Sequence, residues 1–338
     1  MHTFLKFCSK LPSDIKNRTS RSIEHLLSHN VEDCLSLIGL KTRKLISPLL
    51  RKAYRNHVPY DIIKDNACHL ADNGKGRIYA VTHRQKEDII ISMIAADDSA
   101  YVLFGGLDIA LNTFNGLGLW AYGIILVNRD DKKSRNAAYN KMKYVLSHGG
   151  NIILFPEGYF NIADDGEMDE THGADSHNSD SWLVQDLNLG AFKLAQETGS
   201  EIVPIVLHYD ETEGNKCYYH RGRPMKVERQ DDILEKKDLL LSSMNTEYYR
   251  LIEKYSAYSR NELESSGVSL KKQNTKRVEQ LLEVCEVPNI GYKMDMADEK
   301  RIGKARNKKH LITPKQAFAH LNHIAPTVKN AFLFKNRI

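Results

Sequence analysis

The sequence predicts an α/β fold in which helices cover a mostly parallel sheet. From residue 77 onward, short apolar runs rich in β-branched residues alternate with longer stretches of helical periodicity, and this alternation is typical of parallel sheets. Glycines follow two of the predicted helices, at Gly149-Gly150 and at Gly199, where helices commonly end. An N-terminal helical cap and a C-terminal helical extension complete the predicted fold.

The predicted elements follow one another in a regular order. Apolar residues recur at helical spacing through the first seventy residues, which predicts helices there. Strands are expected at residues 77–82, 100–104, 123–127, 151–155 and 201–208. Helices are expected at about 87–96, 134–148 and 187–198. A strand through 216–219 and helices over about 231–258 and 276–286 follow.

This pattern divides the chain into three predicted units. Residues 1–70 are expected to form the N-terminal helical cap, residues 71–230 the α/β core and residues 231–338 a basic, helical extension. Within the core, segment 161–180 holds seven acidic residues and no Lys or Arg, which predicts a solvated surface loop. Its spacing does not follow the calcium-loop pattern, so no metal site is predicted.

Composition places the chain among soluble globular proteins. Of its 338 residues, 41% are hydrophobic and 27% are charged. The five cysteines are scattered without a C-x-x-C pair, which indicates a reducing compartment and argues against a disulfide framework or a zinc site. No signal peptide is recognisable, and the longest apolar stretch is interrupted by Asp and Asn, so we expect a cytoplasmic protein without transmembrane helices.

The net charge of +5 is unevenly distributed. Residues 1–57 hold eleven Lys and Arg against four acids, and the last part of the chain is again basic. Basic ends suit an anionic membrane surface or an acidic protein partner, although the first interpretation of the N-terminal helices is a cap packed on the core. A membrane surface is the predicted partner, and no nucleic acid is expected.

The first candidate site lies where the strand over 77–82 ends. His83 follows this strand, and Asp88 stands five positions later at the start of the next predicted helix. Open α/β sheets bind ligands at the carboxyl ends of their strands, and a carboxylate is favoured at a helix N-terminus. Asp88 could accept a hydrogen bond from the imidazole and leave its other nitrogen as a base. The alternative is an unrelated surface histidine and aspartate.

Three further blocks come later in the chain. An apolar strand from Asn151 ends in Phe155-Pro156-Glu157-Gly158, which is the rarest of the patterns. Between it and His83, the strand from Gly123 ends at Arg129. Beyond it, Val203-Pro204-Ile205 belongs to a fourth strand.

In this order and spacing, the four blocks resemble the glycerolipid acyltransferase family, which includes 1-acylglycerol-3-phosphate and glycerol-3-phosphate acyltransferases. The resemblance covers about residues 75–210 and includes an HX4D motif at His83 and Asp88. It implies an O-acyltransferase of phospholipid biosynthesis that uses an acyl thioester of coenzyme A or acyl carrier protein. The expected acceptor is a lysophospholipid, most of all 1-acylglycerol 3-phosphate. The reaction is expected at the inner face of the cell membrane, to which the protein would bind peripherally.

The resemblance also implies a role for each block. His83 would be the general base and Asp88 would orient it, since histidine titrates near neutral pH. Arg129 would bind the acceptor's phosphate through its planar guanidinium, with Lys132, Lys133 and Arg135 as helpers. No cofactor or metal is expected, because a thioester is already activated.

In the third block, Phe155 and Pro156 belong to the substrate-binding segment. Glu157 would hold an acceptor hydroxyl or a nearby cation, and Gly158 would let the backbone approach the substrate.

Two departures from the family pattern widen the range of functions to be considered. Thr82 stands where the family usually has asparagine, and Tyr159 and Phe160 stand where threonine and arginine usually follow the glycine. The second departure removes a cation and makes room for a glycolipid or aminolipid acceptor. Two further hypotheses are a non-catalytic lipid-binding relative and a thioesterase.

Overall fold

The chain folds around one seven-stranded sheet with helices on both faces. The computed structural model describes residues 30–31, 40–56, 58–84, 87–105, 123–158, 184, 187–210, 215–255, 272–285, 326–328 and 331–334. The predicted acidic loop over 161–180, the helices predicted before residue 40 and most of the C-terminal tail lie outside the described residues.

The strands are β1 (Asp61–Ala67), β2 (Arg77–Val81), β3 (Ala100–Phe104), β4 (Ile124–Leu126), β5 (Asn151–Leu154), β6 (Glu201–Asp210) and β7 (Lys216–Arg221). The helices are α1 (Leu40–Arg55), α2 (Asp88–Ala96), α3 (Lys132–Ser147), α4 (Gly190–Thr198), α5 (Ile233–Tyr255) and α6 (Lys272–Leu282), with a 3₁₀ turn at Ala331–Phe334. Each strand predicted from residue 77 onward is present within a few residues of its expected bounds. Among these elements, no helix is long and apolar enough to cross a membrane.

The strand order is β1-β7-β6-β2-β5-β3-β4. β6, β2, β5, β3 and β4 pair in parallel, whereas β7 pairs antiparallel with β6 and parallel with β1. Five strands therefore end at the same edge of the sheet, with β2 near the middle. The predicted α/β fold with a mostly parallel sheet is confirmed.

Strand β2 shows how the two faces of the sheet are filled. All five of its residues are buried. Ile78 and Ala80 pack into the apolar cluster that includes α3, α4 and α5, while Tyr79 and Val81 pack into the cluster that includes α2. Because successive side chains of a strand point to opposite faces, β2 reads as a continuous apolar run, as a central parallel strand does.

Helix α3 begins and ends with ordinary capping chemistry. The Asp131 side chain accepts hydrogen bonds from the backbone N–H groups of Lys133 and Ser134, which satisfies two free helical donors. At the other end, Gly149 has a φ of 75°, and the N–H groups of Gly149 and Gly150 bond the carbonyls of Leu146 and Val145. This left-handed end favours glycine and fixes the start of β5.

Strand β1 corrects the prediction of helix throughout the first seventy residues. Four of its seven residues are Asp, Lys or Asn, but it pairs in parallel with β7 at the edge of the sheet. Asp65 within it accepts hydrogen bonds from Lys254 and Tyr255 of α5, each at 2.6 Å. Tertiary pairing here overrides weak local β propensity. The division of the chain into three units stays a prediction.

Candidate active site

His83 and Asp88 form a buried pair at the carboxyl end of β2. The imidazole Nδ1 lies 3.0 Å from Asp88 Oδ2. His83 is 7% exposed, and Asp88 is fully buried as the first residue of α2. Since the carboxylate accepts the Nδ1 hydrogen, Nε2 is the basic nitrogen of this tautomer.

Asp88 receives two further hydrogen bonds. The backbone N–H of Arg84 donates to Oδ2, and the hydroxyl of Tyr209 donates to Oδ1. Tyr209 lies near the end of β6, the strand that pairs with β2. Both carboxylate oxygens therefore have donors, which fixes the orientation of Asp88 and, through it, of the imidazole.

The charge of Asp88 affects two neutral neighbours. Burial, followed by the charge of Asp88, raises the pKa of Tyr209 well above its usual value. The same two causes raise the pKa of the fully buried Cys217 thiol. At neutral pH Tyr209 thus keeps its proton and donates it to Asp88, while Cys217 stays a thiol and is not a nucleophile.

The turn after β5 holds the other side of His83. Glu157 is 4% exposed, and its Oε1 accepts the backbone N–H of His83 at 2.9 Å. The Phe155 ring stacks on the imidazole, with centroids 4.1 Å apart and an interplanar angle of 24°. The predicted residues His83, Asp88, Phe155 and Glu157 are thus brought together.

Asn188, just before α4, holds this turn in place. The Pro156 carbonyl accepts the backbone N–H of Asn188 at 2.8 Å and its side-chain Nδ2 at 3.0 Å. Gly158 has a φ of 84°, and a Cβ there would lie 2.7 Å from Asn188 Nδ2. In this structure, the close approach at Gly158 is to Asn188, which the sequence analysis did not single out.

Arg129 lies apart from this group. It follows β4, at the sheet edge three strands from β2, and its exposed side chain reaches back over Gly105 at the end of β3. A Cβ on Gly105 would meet Arg129 Nε at 3.2 Å. Arg135 donates to the carbonyl of Arg129. The other two proposed helpers, Lys132 and Lys133, are exposed in the first turn of α3.

Thr82 joins the site to the sheet. Its hydroxyl oxygen accepts the backbone N–H of Leu207 at 3.0 Å, and its own N–H bonds the carbonyl of Ile205. Thr82, which departs from the pattern of the family that the sequence resembles, therefore ties the end of β2 to β6.

The arrangement has the parts of an acyl-transfer site that uses an imidazole base. A carboxylate-oriented histidine lies at the ligand-binding edge of a parallel sheet, beside a proline-glutamate-glycine turn. Residues 62–208 match the family model described as Acyltransferase. The predicted family resemblance is thereby confirmed.

The fold is also similar to a solved structure. The crystal structure of the 1-acyl-sn-glycerophosphate (LPA) acyltransferase PlsC from Thermotoga maritima is 13% identical in sequence and superposes with a TM-score of 0.49. The similarity covers 75% of this chain and 95% of that chain. No curated protein sequence matches the chain.

Proposed function

We propose that this protein transfers a fatty acyl group from an acyl thioester to a hydroxyl of a lysophospholipid in phospholipid biosynthesis. The acyltransferase family of residues 62–208 supports the class of reaction. The observation that carries the proposal is the buried pair of His83 and Asp88, whose Nδ1 and Oδ2 atoms lie 3.0 Å apart. Two further hydrogen bonds to the carboxylate fix the orientation of the pair.

The tautomer of His83 determines which of its nitrogens acts as the base in the reaction. His83 Nε2 takes the proton of the acceptor hydroxyl while the oxygen attacks the thioester carbonyl carbon. The resulting tetrahedral intermediate collapses, the carbon–sulfur bond breaks, and the leaving thiolate takes the proton back from the imidazolium. Asp88 stabilises the positive imidazole between these two steps. The thioester is already activated, so the reaction requires no metal or cofactor.

Transfer in this proposal is direct, without an acyl-enzyme intermediate. The thiol nearest to the pair in the described part of the chain, Cys217, is fully buried, and its raised pKa keeps it protonated. A buried thiol at neutral pH is a poor nucleophile. The acceptor hydroxyl must then attack the thioester itself, with His83 as its base.

The proposed acceptor is 1-acylglycerol 3-phosphate, and the acyl group would come from coenzyme A or acyl carrier protein. Arg129 supports an anionic acceptor because its exposed guanidinium lies at the same edge of the sheet as His83. The absence of arginine after Gly158 leaves a neutral acceptor as the second candidate.

In this proposal the protein acts at the inner face of the cell membrane, to which it binds peripherally. On α1, Leu45 and Leu49 are 78% and 70% exposed, one turn apart and flanked by the exposed Lys44 and Lys52. Apolar and basic residues on one helical face suit an anionic lipid surface. At its end, Arg55 bonds the carbonyl of Ile62 at 3.0 Å, near the edge that holds the site.

A panel of acceptors and acyl donors tests the proposal. The purified protein is given labelled acyl-CoA or acyl carrier protein with 1-acylglycerol 3-phosphate, glycerol 3-phosphate or 1-acylglycerol, and the labelled lipid is identified. We expect label in phosphatidic acid, and at least a hundredfold slower thioester cleavage without acceptor.

Each remaining outcome has a distinct meaning. Transfer to 1-acylglycerol alone would replace the phosphate acceptor by a neutral one. Thioester cleavage at the same rate without acceptor would indicate a thioesterase. Binding of acyl-CoA without any transfer or cleavage would contradict catalysis and favour a lipid-binding protein.

A further inference from the structure

Arg84, the residue after His83, carries a guanidinium with an unused buried donor. Its Cζ lies 4.2 Å from the centre of the Tyr248 ring in α5. Its side chain is only partly buried, yet Nη2 is buried and, within the described part of the chain, has no hydrogen-bond partner. A buried cationic donor without an acceptor is unfavourable unless a ligand supplies one.

The hydroxyl of Tyr248 is a second buried donor. The residue is 1% exposed, and its hydroxyl also lacks a hydrogen-bond partner among the described residues. Burial raises its pKa; the charge of Arg84 opposes this rise, while Glu157 and Asp88 add to it. These charged groups therefore share one neighbourhood at the carboxyl edge, and the neutral hydroxyl stands in it as a donor.

The alternation of β2 explains why His83 and Arg84 face different ways. Tyr79 and Val81 belong to the cluster of α2, while Ile78 and Ala80 belong to the cluster of α5. Past the end of the strand, His83 turns to Asp88 of α2, whereas Arg84 turns to Tyr248 of α5. The base and the cation thus flank the end of β2 on adjacent residues, whose Cα atoms are about 3.8 Å apart.

The guanidinium of Arg129 is less suitably placed to bind a phosphate close to the reacting hydroxyl. Its guanidinium lies over Gly105 at the end of β3, two strands from β2, which corresponds to roughly 10 Å at the usual spacing of strands. In a glycerol phosphate the phosphate is only a few bonds from the hydroxyl that is acylated. A cation next to His83 matches this short separation better.

We infer that Arg84 and the Tyr248 hydroxyl bind the phosphate of the lipid acceptor. This inference rests on the proposed function and names the cation that takes the place of the arginine missing after Gly158. A guanidinium and a hydroxyl together offer several donors to a phosphate. The phosphates of coenzyme A are the other source of the same chemistry, but the pantetheine arm separates them from the thioester.

The test compares Arg84→Gln and Tyr248→Phe with the wild-type protein. We expect Arg84→Gln to raise KM for 1-acylglycerol 3-phosphate about ten- to a hundredfold, since charge-assisted hydrogen bonds are lost. KM for acyl-CoA should stay unchanged, and Arg84→Lys should restore part of the loss. Arg250→Gln is the matched control, because Arg250 lies on α5 and pairs with Glu247.

Tyr248→Phe separates binding from folding. Its hydroxyl has no protein partner in the described structure, so we expect its removal to leave the melting temperature unchanged or slightly raised while it raises KM for the phosphate acceptor several-fold. An unchanged KM in both variants would overturn the inference. A raised KM for acyl-CoA instead would overturn the acceptor assignment and indicate the phosphates of coenzyme A.

Equilibrium binding keeps this inference separate from the proposed function. An acceptor analogue that lacks the reacting hydroxyl, 1-acyl-2-deoxyglycerol 3-phosphate, is titrated into each protein by calorimetry. Weaker binding to Arg84→Gln supports the phosphate site even if no acyl transfer is found. Equal binding to the wild-type and variant proteins contradicts the site even if transfer is found.

Discussion

At the scale of single residues, His83 is held from three sides. Asp88 fixes its Nδ1, Glu157 accepts its backbone N–H, and Phe155 stacks on its ring. These contacts come from α2 and from the turn after β5, so they do not depend on a bound substrate. A base held in one orientation before binding lowers the entropy cost of reaching the transition state.

Tyr209 is the residue that we expect to tune this base. Its hydroxyl donates to Asp88 Oδ1 and so disperses part of the carboxylate's charge. In Tyr209→Phe, Asp88 loses one of its donors and holds the imidazole less firmly. We therefore expect kcat at neutral pH to fall about three- to tenfold, the effect of losing one hydrogen bond, while KM for acyl-CoA stays unchanged.

The control for this variant is Tyr219→Phe. Tyr219 lies on the neighbouring strand β7, in the same apolar cluster, so it reports the general effect of deleting a tyrosine hydroxyl there. If both variants lower kcat equally, Tyr209 supports only the packing of the sheet edge.

At the scale of secondary-structure elements, the site forms where the carboxyl ends of β2 and β5 lie side by side. β2 delivers His83 and β5 delivers Glu157, and the two strands pair directly in parallel. Asn188 then fastens the turn after β5 to the start of α4. Since each part is anchored in regular structure, the pair and the turn have a fixed relative position.

Helix α1 makes a separate prediction about membrane binding. Its inner face packs through the buried Arg43, whose guanidinium lies 4.7 Å from the ring centre of Tyr101, so its exposed leucines are free to face lipid. We expect the double change Leu45→Ser and Leu49→Ser to weaken binding to vesicles that contain phosphatidylglycerol at least tenfold. Co-sedimentation measures this binding.

A matched pair of leucines controls for the loss of apolar surface. Leu234 and Leu239 on α5 are 55% and 52% exposed, and their change to serine leaves the net charge the same. Equal losses of binding in the two double variants would contradict a specific role for α1.

At the scale of the whole molecule, the sheet order brings distant segments to one edge. His83 and Tyr209 are 126 positions apart in sequence, yet the parallel pairing of β2 with β6 places both beside Asp88. The crossover connections keep all five parallel strands pointing to this edge.

Much of this arrangement could be predicted because the signals are local. Residues 78–81 form an apolar run with β-branched Ile78 and Val81, and Gly149 and Gly199 follow helices, so the strands and helices from residue 77 onward were predictable. The meeting of His83 with Glu157 followed from two strands that end at the same edge of a parallel sheet.

The rest depended on tertiary contacts that leave no local pattern. β1 has only two apolar residues besides its final alanine, and it forms a strand by pairing with β7. Tyr209 lies one residue beyond the predicted strand 201–208, and Tyr248 lies within the predicted helix over about 231–258, so neither was linked to the site. Their roles follow from their neighbours Asp88 and Arg84, which only the folded chain reveals.

The most direct test of the central claim is the rate of acyl transfer by His83→Ala, measured as kcat/KM with labelled acyl-CoA and 1-acylglycerol 3-phosphate. His148→Ala is the control, because His148 is an exposed histidine at the end of α3. We predict a loss of about a hundred- to ten-thousandfold for His83→Ala in a variant whose circular dichroism shows that it is folded, and full activity for the control. Transfer by a folded His83→Ala variant at the wild-type rate would contradict the account.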